Sequence, residues 1–294
     1  KNHKPMEEDY LNSLTSNLDK LDRDRLKEEL SKVNVFRKIR LAYALNFRTK
    51  DIHSILYKVR NGKGYAKEFN FSNKVKAGVA LEIVKNSIVL DVSKQVKGKK
   101  IYIPSYLNYT LPATEKQFTG YLPIGSYISI QKDMIVGVYW KNVKGERIDL
   151  DLSMVNIDQK FGWDANYRSD SGDILFSGDM TDAQNGASEL FYIKRQIKNS
   201  FLLVLNYYNF DKDTSVPIKI FVGKEQAINM RKNYMINPNN ILAHADSIIE
   251  KKQKILGLLT ITTEGSKFYF CENYLGRSIS SSGTDYIEHT RQYL

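Results

Sequence analysis

The chain has 294 residues, of which 42% are hydrophobic, so it can bury one large core or two ordinary ones and disorder is not expected. A single cysteine, Cys271, excludes an intramolecular disulfide, and the apolar stretches are shorter than the roughly 20 residues of a membrane-spanning helix; we therefore expect a cytoplasmic protein with no membrane partner. The net charge of +11 lies entirely in residues 1–118, which hold 24 Lys and Arg against 13 Asp and Glu, whereas residues 119–294 hold 20 of each.

The first segment has a helical pattern. From Glu7 to about Phe47, leucines and other apolar residues recur at spacings of three and four, with charged residues between them. This periodicity predicts one or two amphipathic helices. Arg37, Lys38 and Arg40 form a short basic cluster within them.

Strands are predicted next. Ile55–Arg60 and Lys63–Phe71 flank Asn61-Gly62, a dipeptide that favours a tight hairpin turn. Leu81–Val84, Ile88–Val92 and Lys100–Ile103 are apolar or alternating and are predicted as further strands, with a turn at Lys97-Gly98-Lys99. Lysines and arginines are interleaved here with aromatic residues, a composition suited to stacking bases and meeting phosphates. A nucleic acid or other polyanion is therefore a candidate partner of residues 1–118, although the same composition is common in ordinary strands.

A domain boundary is predicted near residues 112–119, which gives a basic α+β unit at 1–118 and a second unit at 119–294. Short strands separated by turn residues predict a β-sandwich in the second unit. The expected strands are Tyr127–Ile130, Met134–Trp140, Ile148–Asn156, Glu189–Ile193, Phe201–Tyr208 and Ile218–Val222. A helix is expected from Ile241 to about Lys254, capped by Asn239 or Asn240, and then a hairpin of Ile255–Thr262 with Lys267–Glu272.

Acidic residues cluster in two parts of the second unit. In the run Asp149-Leu150-Asp151-Leu152-Ser153, strand alternation places both carboxylates on one face and both leucines on the other. A second polar stretch runs from Ser169 through Asp173 to Ser177-Gly178-Asp179 and continues to Glu189. Calcium takes six to eight oxygen ligands, so an acidic strand facing an acidic loop is a suitable donor set. Acidic loops that are merely solvated have the same pattern.

These motifs resemble a known family. The order of Gly137-Val138-Tyr139-Trp140, then Asp149–Ser153, then Ser177-Gly178-Asp179 is similar to the TerD domain of tellurium-resistance and general stress proteins. The similarity covers about residues 119–277. It implies a calcium-binding β-sandwich whose ligands come from the acidic strand and from the loop that begins Ser-Gly-Asp.

Carried over residue by residue, the resemblance implies metal ligands at Asp149, Asp151, Asp179 and Glu189, with Asp173 as a neighbour. Two positions depart from the family pattern. Met180 stands where Asn is usual after Ser-Gly-Asp, and the run Gly186–Glu189 is one residue shorter than the family's acidic run. The departures remove two potential ligands, so we expect a weakened site, one calcium where the family has two, or a scaffold that no longer binds metal.

Three functions are consistent with the sequence. The first is a non-enzymatic stress-resistance or defence module that binds calcium, has a basic N-terminal interaction unit and contacts a protein partner. The second is a nucleic-acid-binding protein whose sandwich is a metal-free docking domain. The third is a metal-dependent hydrolase that uses Asp149, Asp151, Asp179 and Glu189 around magnesium or manganese. It is disfavoured because no positioned general base or nucleophile accompanies these acids.

Overall fold

The computed structural model describes residues 9–51, 54–58, 64–68, 71, 73–112, 118–194, 198–227 and 229–274. Its contacts divide the chain into two compact units. The first comprises residues 1–102 and 111–116, and the second comprises residues 103–110 and 117–294. The predicted Asn61-Gly62 turn lies outside the described residues.

The first unit begins with helices, as the periodicity predicts, but the segment is divided into more than the one or two helices expected: α1 Tyr10–Ser13, a 3-10 helix Leu18–Lys20, α2 Arg23–Ser31 and α3 Val35–Arg48. Polar side chains cap three of them. The Asp22 carboxylate accepts the backbone N–H groups of Asp24 and Arg25 at the start of α2, and Asn34 does the same for Arg37 at the start of α3. These caps satisfy donors that a helix start leaves without partners.

A hairpin follows, formed by β1 Ser54–Lys58 and β2 Gly64–Glu68 in antiparallel register. Its strands agree with the prediction. Its side chains lie outside what the structure describes.

The strands predicted at Leu81–Val84 and Ile88–Val92 are wrong, because both fall within one helix, α4 Lys74–Val96. Buried Ala77, Ala80, Leu81 and Val84 recur at spacings of three and four, which places them on one helical face. They pack with leucines of the first three helices in a single core. Burial of this face outweighs the β-propensity of the short apolar runs. Lys100–Ile103, also predicted as a strand, has no regular structure.

The second unit consists of short antiparallel strands. They are β3 Leu107–Asn108, β4 Phe118–Thr119, β5 Leu122–Pro123, β6 Tyr127–Ile130, β7 Met134–Trp140, β8 Leu150–Val155, β9 Lys160–Gly162, β10 Ile174–Phe176, β11 Ala187–Ile193, β12 Asn199–Tyr207, β13 Val216–Lys224, β14 Ile241–Ile249, β15 Gln253–Thr262 and β16 Gly265–Tyr274. One large sheet has the order β10-β11-β7-β13-β14, a second has the order β3-β6-β16-β15-β12-β8-β9, and β4 pairs with β5 in a small third sheet.

The two sheets share one hydrophobic core, which makes this unit the predicted β-sandwich. Along β7, Val136, Val138 and Trp140 lie in that core, while Ile135 belongs to a separate apolar cluster. This alternation is the two-residue period of a strand. Residues 103–110 belong to this unit because β3 pairs with β6.

The helix predicted at Ile241–Lys254 is wrong. Residues 241–249 form β14, which pairs antiparallel with β13 and opposes Ala245 to Ile220. Ala243, Ala245 and Ile249 are buried at odd positions, so pairing with a neighbouring strand decides the structure of an apolar pattern that also suits a helix. The hairpin predicted after it is confirmed as β15 and β16.

Among the described residues, no helix combines the length and the hydropathy required to cross a membrane.

Candidate metal centre

The acidic strand is β8, and its two faces separate as the alternation predicts. Leu150, Leu152 and Met154 belong to the shared core. Asp151 and Ser153 lie on the opposite face of the strand, and Asp149 precedes its first residue. All three are nearly inaccessible to solvent.

One edge of β8 is only partly covered, because β9 is three residues long and pairs with Ser153, Met154 and Val155 alone. Beyond that pairing, the N–H of Leu152 donates to Glu189 Oε2 at 2.7 Å. Glu189 belongs to β11 in the other sheet, so its side chain joins the two sheets at this edge. The Glu189 carboxylate thus accepts the Leu152 N–H in place of the backbone carbonyl that a longer β9 would supply.

The second oxygen of Glu189 fixes the loop that carries Asp179. The N–H of Met180 donates to Glu189 Oε1 at 2.7 Å. Two further bonds, at 3.0 Å each, join Ser177 to Leu190 on β11: the Ser177 Oγ accepts the Leu190 N–H, and the Ser177 N–H donates to the Leu190 carbonyl. Gly178 lies between Ser177 and Asp179 in the chain and has a φ of +98°, which a residue with a side chain rarely adopts. The Ser-Gly-Asp motif is therefore an irregular segment, fixed to β11 by Ser177, that brings Asp179 close to Asp149 and Asp151.

As a result, Asp149, Asp151 and Asp179 converge. Each offers a carboxylate oxygen, and these atoms all lie within 4.8 Å of one another. One oxygen of Asp149 is bonded to Arg147 Nη2 at 2.8 Å, and one oxygen of Asp151 is bonded to Asn206 Nδ2 at 3.0 Å. The Oδ1 atoms of Asp149 and Asp179 are buried, and neither has a hydrogen-bond partner among the described residues.

Burial and mutual repulsion disfavour full ionisation of this group. Burial raises the pKa of Asp151 to about 7; the bond from Asn206 opposes the rise, and the charges of Asp149 and Asp179 add to it. The pKa of Asp149 is also raised by burial, against the opposing effect of Arg147. Burial raises the pKa of Glu189 well above its usual range, although its two backbone bonds lower it. A cation among these carboxylates would relieve the cost of their charges.

The residues present fit a hard divalent cation. The group offers carboxylate oxygens only, which calcium and magnesium prefer over the nitrogen and sulfur ligands of zinc. Two of these oxygens are buried without a partner, and such atoms ordinarily carry a free-energy cost unless a ligand meets them. The cluster could therefore hold a metal ion.

The other two predicted ligands have different positions. Glu189 has both oxygens engaged by backbone N–H groups and holds the strand and the loop together. Asp173 precedes β10, where its carbonyl accepts the N–H of Lys194. Because Ile174 pairs with Ile193, this position lies at the other end of β11 from Glu189.

Sequence reasoning missed two polar neighbours of the cluster. Arg147 lies two residues before Asp149, which is the spacing that puts side chains on one face of an extended chain. It also donates from Nε to the carbonyl of Thr181 in the loop. Asn206 stands opposite Asp151 in the register of β12 with β8. Arg147 could have been found from its spacing to Asp149. Asn206 could not, because its position opposite Asp151 depends on which strands pair.

No family model, curated protein or solved structure matches the chain. The resemblance to the TerD domain therefore stays a prediction that depends on the motifs themselves.

Proposed function

We propose that the second unit is a TerD-like, non-enzymatic stress-resistance or defence module that binds one calcium ion at Asp149, Asp151 and Asp179. The observation that carries this proposal is the convergence of carboxylates from β8, from the residue before it and from the loop between β10 and β11, with two buried oxygens lacking a partner among the described residues. The single cysteine supports a cytoplasmic setting for it.

Each residue has a distinct part in the proposal. Asp149, Asp151 and Asp179 supply the charged oxygens, and calcium completes its six to eight ligands with carbonyls and water. Glu189 holds the loop and the strand at their present separation through its two backbone bonds. A bound cation supplies electrostatic neutralisation, which lets all three carboxylates ionise in a buried place.

Calorimetric titration of the full chain with calcium tests the proposal. We expect one site with a dissociation constant of roughly 10⁻⁵–10⁻³ M, because the protein offers few charged ligands compared with high-affinity sites. Magnesium should bind more weakly, since it demands near-ideal octahedral geometry and gives up water reluctantly. The absence of binding heat at millimolar calcium would remove the metal from the proposed function.

Two variants that each remove one negative charge sharpen the test. Asp179→Asn removes one of the three carboxylate charges of the cluster and should weaken calcium binding at least roughly tenfold. Asp173→Asn removes the same charge at the far end of β11 from Glu189 and should leave the affinity unchanged. Equal effects of the two would mean that net charge, and not the cluster, attracts the ion.

The hydrolase alternative has one observation in its favour, the Asp151 carboxyl with a pKa of about 7, since a general base works best near the operating pH. It predicts hydrolysis of a phosphodiester in the presence of magnesium or manganese that Asp151→Asn abolishes. Calcium binding without any such turnover supports the non-enzymatic module.

A further inference from the structure

The long helix of the first unit, α4, has exposed apolar side chains outside its core face. Its core face packs against the other helices. On the C-terminal half, Val89 and Leu90 are each 62% exposed, and Val92 is also exposed. A helix that is apolar on more than its core-facing stripe requires a second apolar environment.

The same half of the helix leads into a strongly cationic stretch. Lys94, Lys97, Lys99 and Lys100 are all exposed, and no ion pair joins them to a described residue. Between residues 83 and 112 the sequence has one acid, Asp91. Its carboxylate is already paired with Lys38 Nζ at 2.6 Å, so it does not neutralise the lysines.

Apolar residues return directly after the lysines. Ile101 is exposed, and Tyr102 is 81% exposed. Residues 89–102, which we call the basic–apolar segment, thus combine exposed aliphatic side chains, four lysines and an exposed tyrosine.

We propose that the basic–apolar segment attaches the first unit to the surface of an anionic lipid bilayer. Lysines near such a surface gain free energy from acidic headgroups, and aliphatic side chains gain it by entering the boundary between headgroups and acyl chains. Tyrosine is enriched at that boundary. Neither gain requires a spanning helix, so the proposal replaces the expectation that the chain has no membrane partner.

Nucleic acid fits this segment less well. Phosphates would meet the lysines, but Val89, Leu90 and Val92 offer no flat ring on which a base could stack. The aliphatic side chains therefore favour lipid over a nucleic acid as the partner of this surface.

Co-sedimentation of the full chain with lipid vesicles tests the proposal. In a chelating buffer, which keeps the calcium proposal out of the measurement, the protein should sediment with vesicles containing phosphatidylglycerol and not with pure phosphatidylcholine. Binding should fall as salt is raised, because headgroup attraction is screened.

Two sets of substitutions separate the charge from the apolar contribution. Replacing Lys97, Lys99 and Lys100 together by Gln should lower binding on the order of a hundredfold. The double variant Val89→Ser, Leu90→Ser should lower it roughly tenfold. Val75→Ser is the control, since Val75 is exposed on the same helix but lies about 21 Å away along its axis; it should change nothing. Circular dichroism shows whether each variant keeps its helices.

Three results would overturn the proposal. The first is that the protein does not sediment with anionic vesicles at low salt. The second is that it sediments equally with neutral vesicles. The third is that it binds a single-stranded oligonucleotide and no vesicles, and that the triple lysine variant no longer binds the oligonucleotide.

Discussion

Two kinds of buried acid lie close together in the sandwich, and they differ in what their oxygens contact. Glu189 is fully buried, and each of its oxygens accepts a backbone N–H. Asp149 and Asp179 each have an oxygen that is buried and lacks a described partner. The oxygens of Glu189 already accept hydrogen bonds from the protein, and these bonds hold the loop to the strand. The buried oxygens of Asp149 and Asp179 are left for a ligand, so burial alone does not identify a metal ligand.

The largest expected change in the free energy of unfolding comes from removing the side chain of Glu189. Glu189→Ala leaves two buried N–H groups without acceptors and opens a cavity, so the free energy of unfolding should fall by about 3–5 kcal/mol. Ser188→Ala is a matched control on the same strand. The Ser188 Oγ is buried and unbonded among the described residues, and its loss should change stability by less than about 0.5 kcal/mol. Urea denaturation measures both, and similar losses in the two variants would contradict the role given to Glu189.

Removing the Asp151 carboxyl should change the free energy of unfolding by less, and should increase it. The pKa of Asp151 is about 7 in the folded state and has its ordinary value of 3.8 in the unfolded state. Between these two pH values, Asp151 therefore binds more protons in the folded state than in the unfolded state. Stability without a cation therefore falls as pH rises through about 4 to 7. Asp151→Asn should remove this loss and stabilise the protein on the order of 1–3 kcal/mol above that interval.

Denaturation in a chelating buffer on either side of the interval checks this prediction. Below it, the variant and the parent protein should have nearly equal stability, since the carboxyl is protonated in both states. A variant that is less stable than the parent at alkaline pH would show that the bond from Asn206 outweighs the cost of the buried charge.

The smallest expected effect concerns Arg147, whose guanidinium neutralises one oxygen of Asp149. Its side chain is more than half exposed, so its charge acts through solvent and its influence is modest. Arg147→Gln should raise the calcium affinity roughly threefold to tenfold by removing a competing cation. Lys144→Gln, in the preceding turn, is the control. A calorimetric affinity that falls in Arg147→Gln would mean that the arginine positions Asp149 instead of competing with the ion.

The sequence predicts the regular strands of the sandwich well, because alternation and turn residues are local. Tyr127–Ile130 and Met134–Trp140 have the predicted bounds. It fails at Ile241–Ile249, where apolar residues at 241, 242, 245, 248 and 249 suit a helix, yet pairing with β13 makes a strand. It fails again in α4, where the short apolar runs at 81–84 and 88–92 predict two strands although they belong to one helical period.

For the candidate site, the alternation of β8 predicts that Asp149 and Asp151 share a strand face, and the resemblance to the TerD domain implies that Asp179 joins them. Their meeting in space depends on how the two sheets pack, which no local pattern contains. The role of Glu189 has no local signal, because it depends on β9 ending after three residues and leaving the Leu152 N–H to a strand of the other sheet. Spacing along the chain identifies which acidic residues share one face of a strand. It does not identify which of their oxygens another part of the backbone already uses.

The contribution of both sheets to the cluster has a kinetic consequence. Asp149 and Asp151 belong to the region of β8, whereas Asp179 is attached to β11 through Ser177 and Glu189. The three carboxylates are thus together only after the sandwich has closed, late in folding. An ion bound there should slow the opening of the native state while leaving the rate of folding almost unchanged, since interactions absent from the transition state act on unfolding alone.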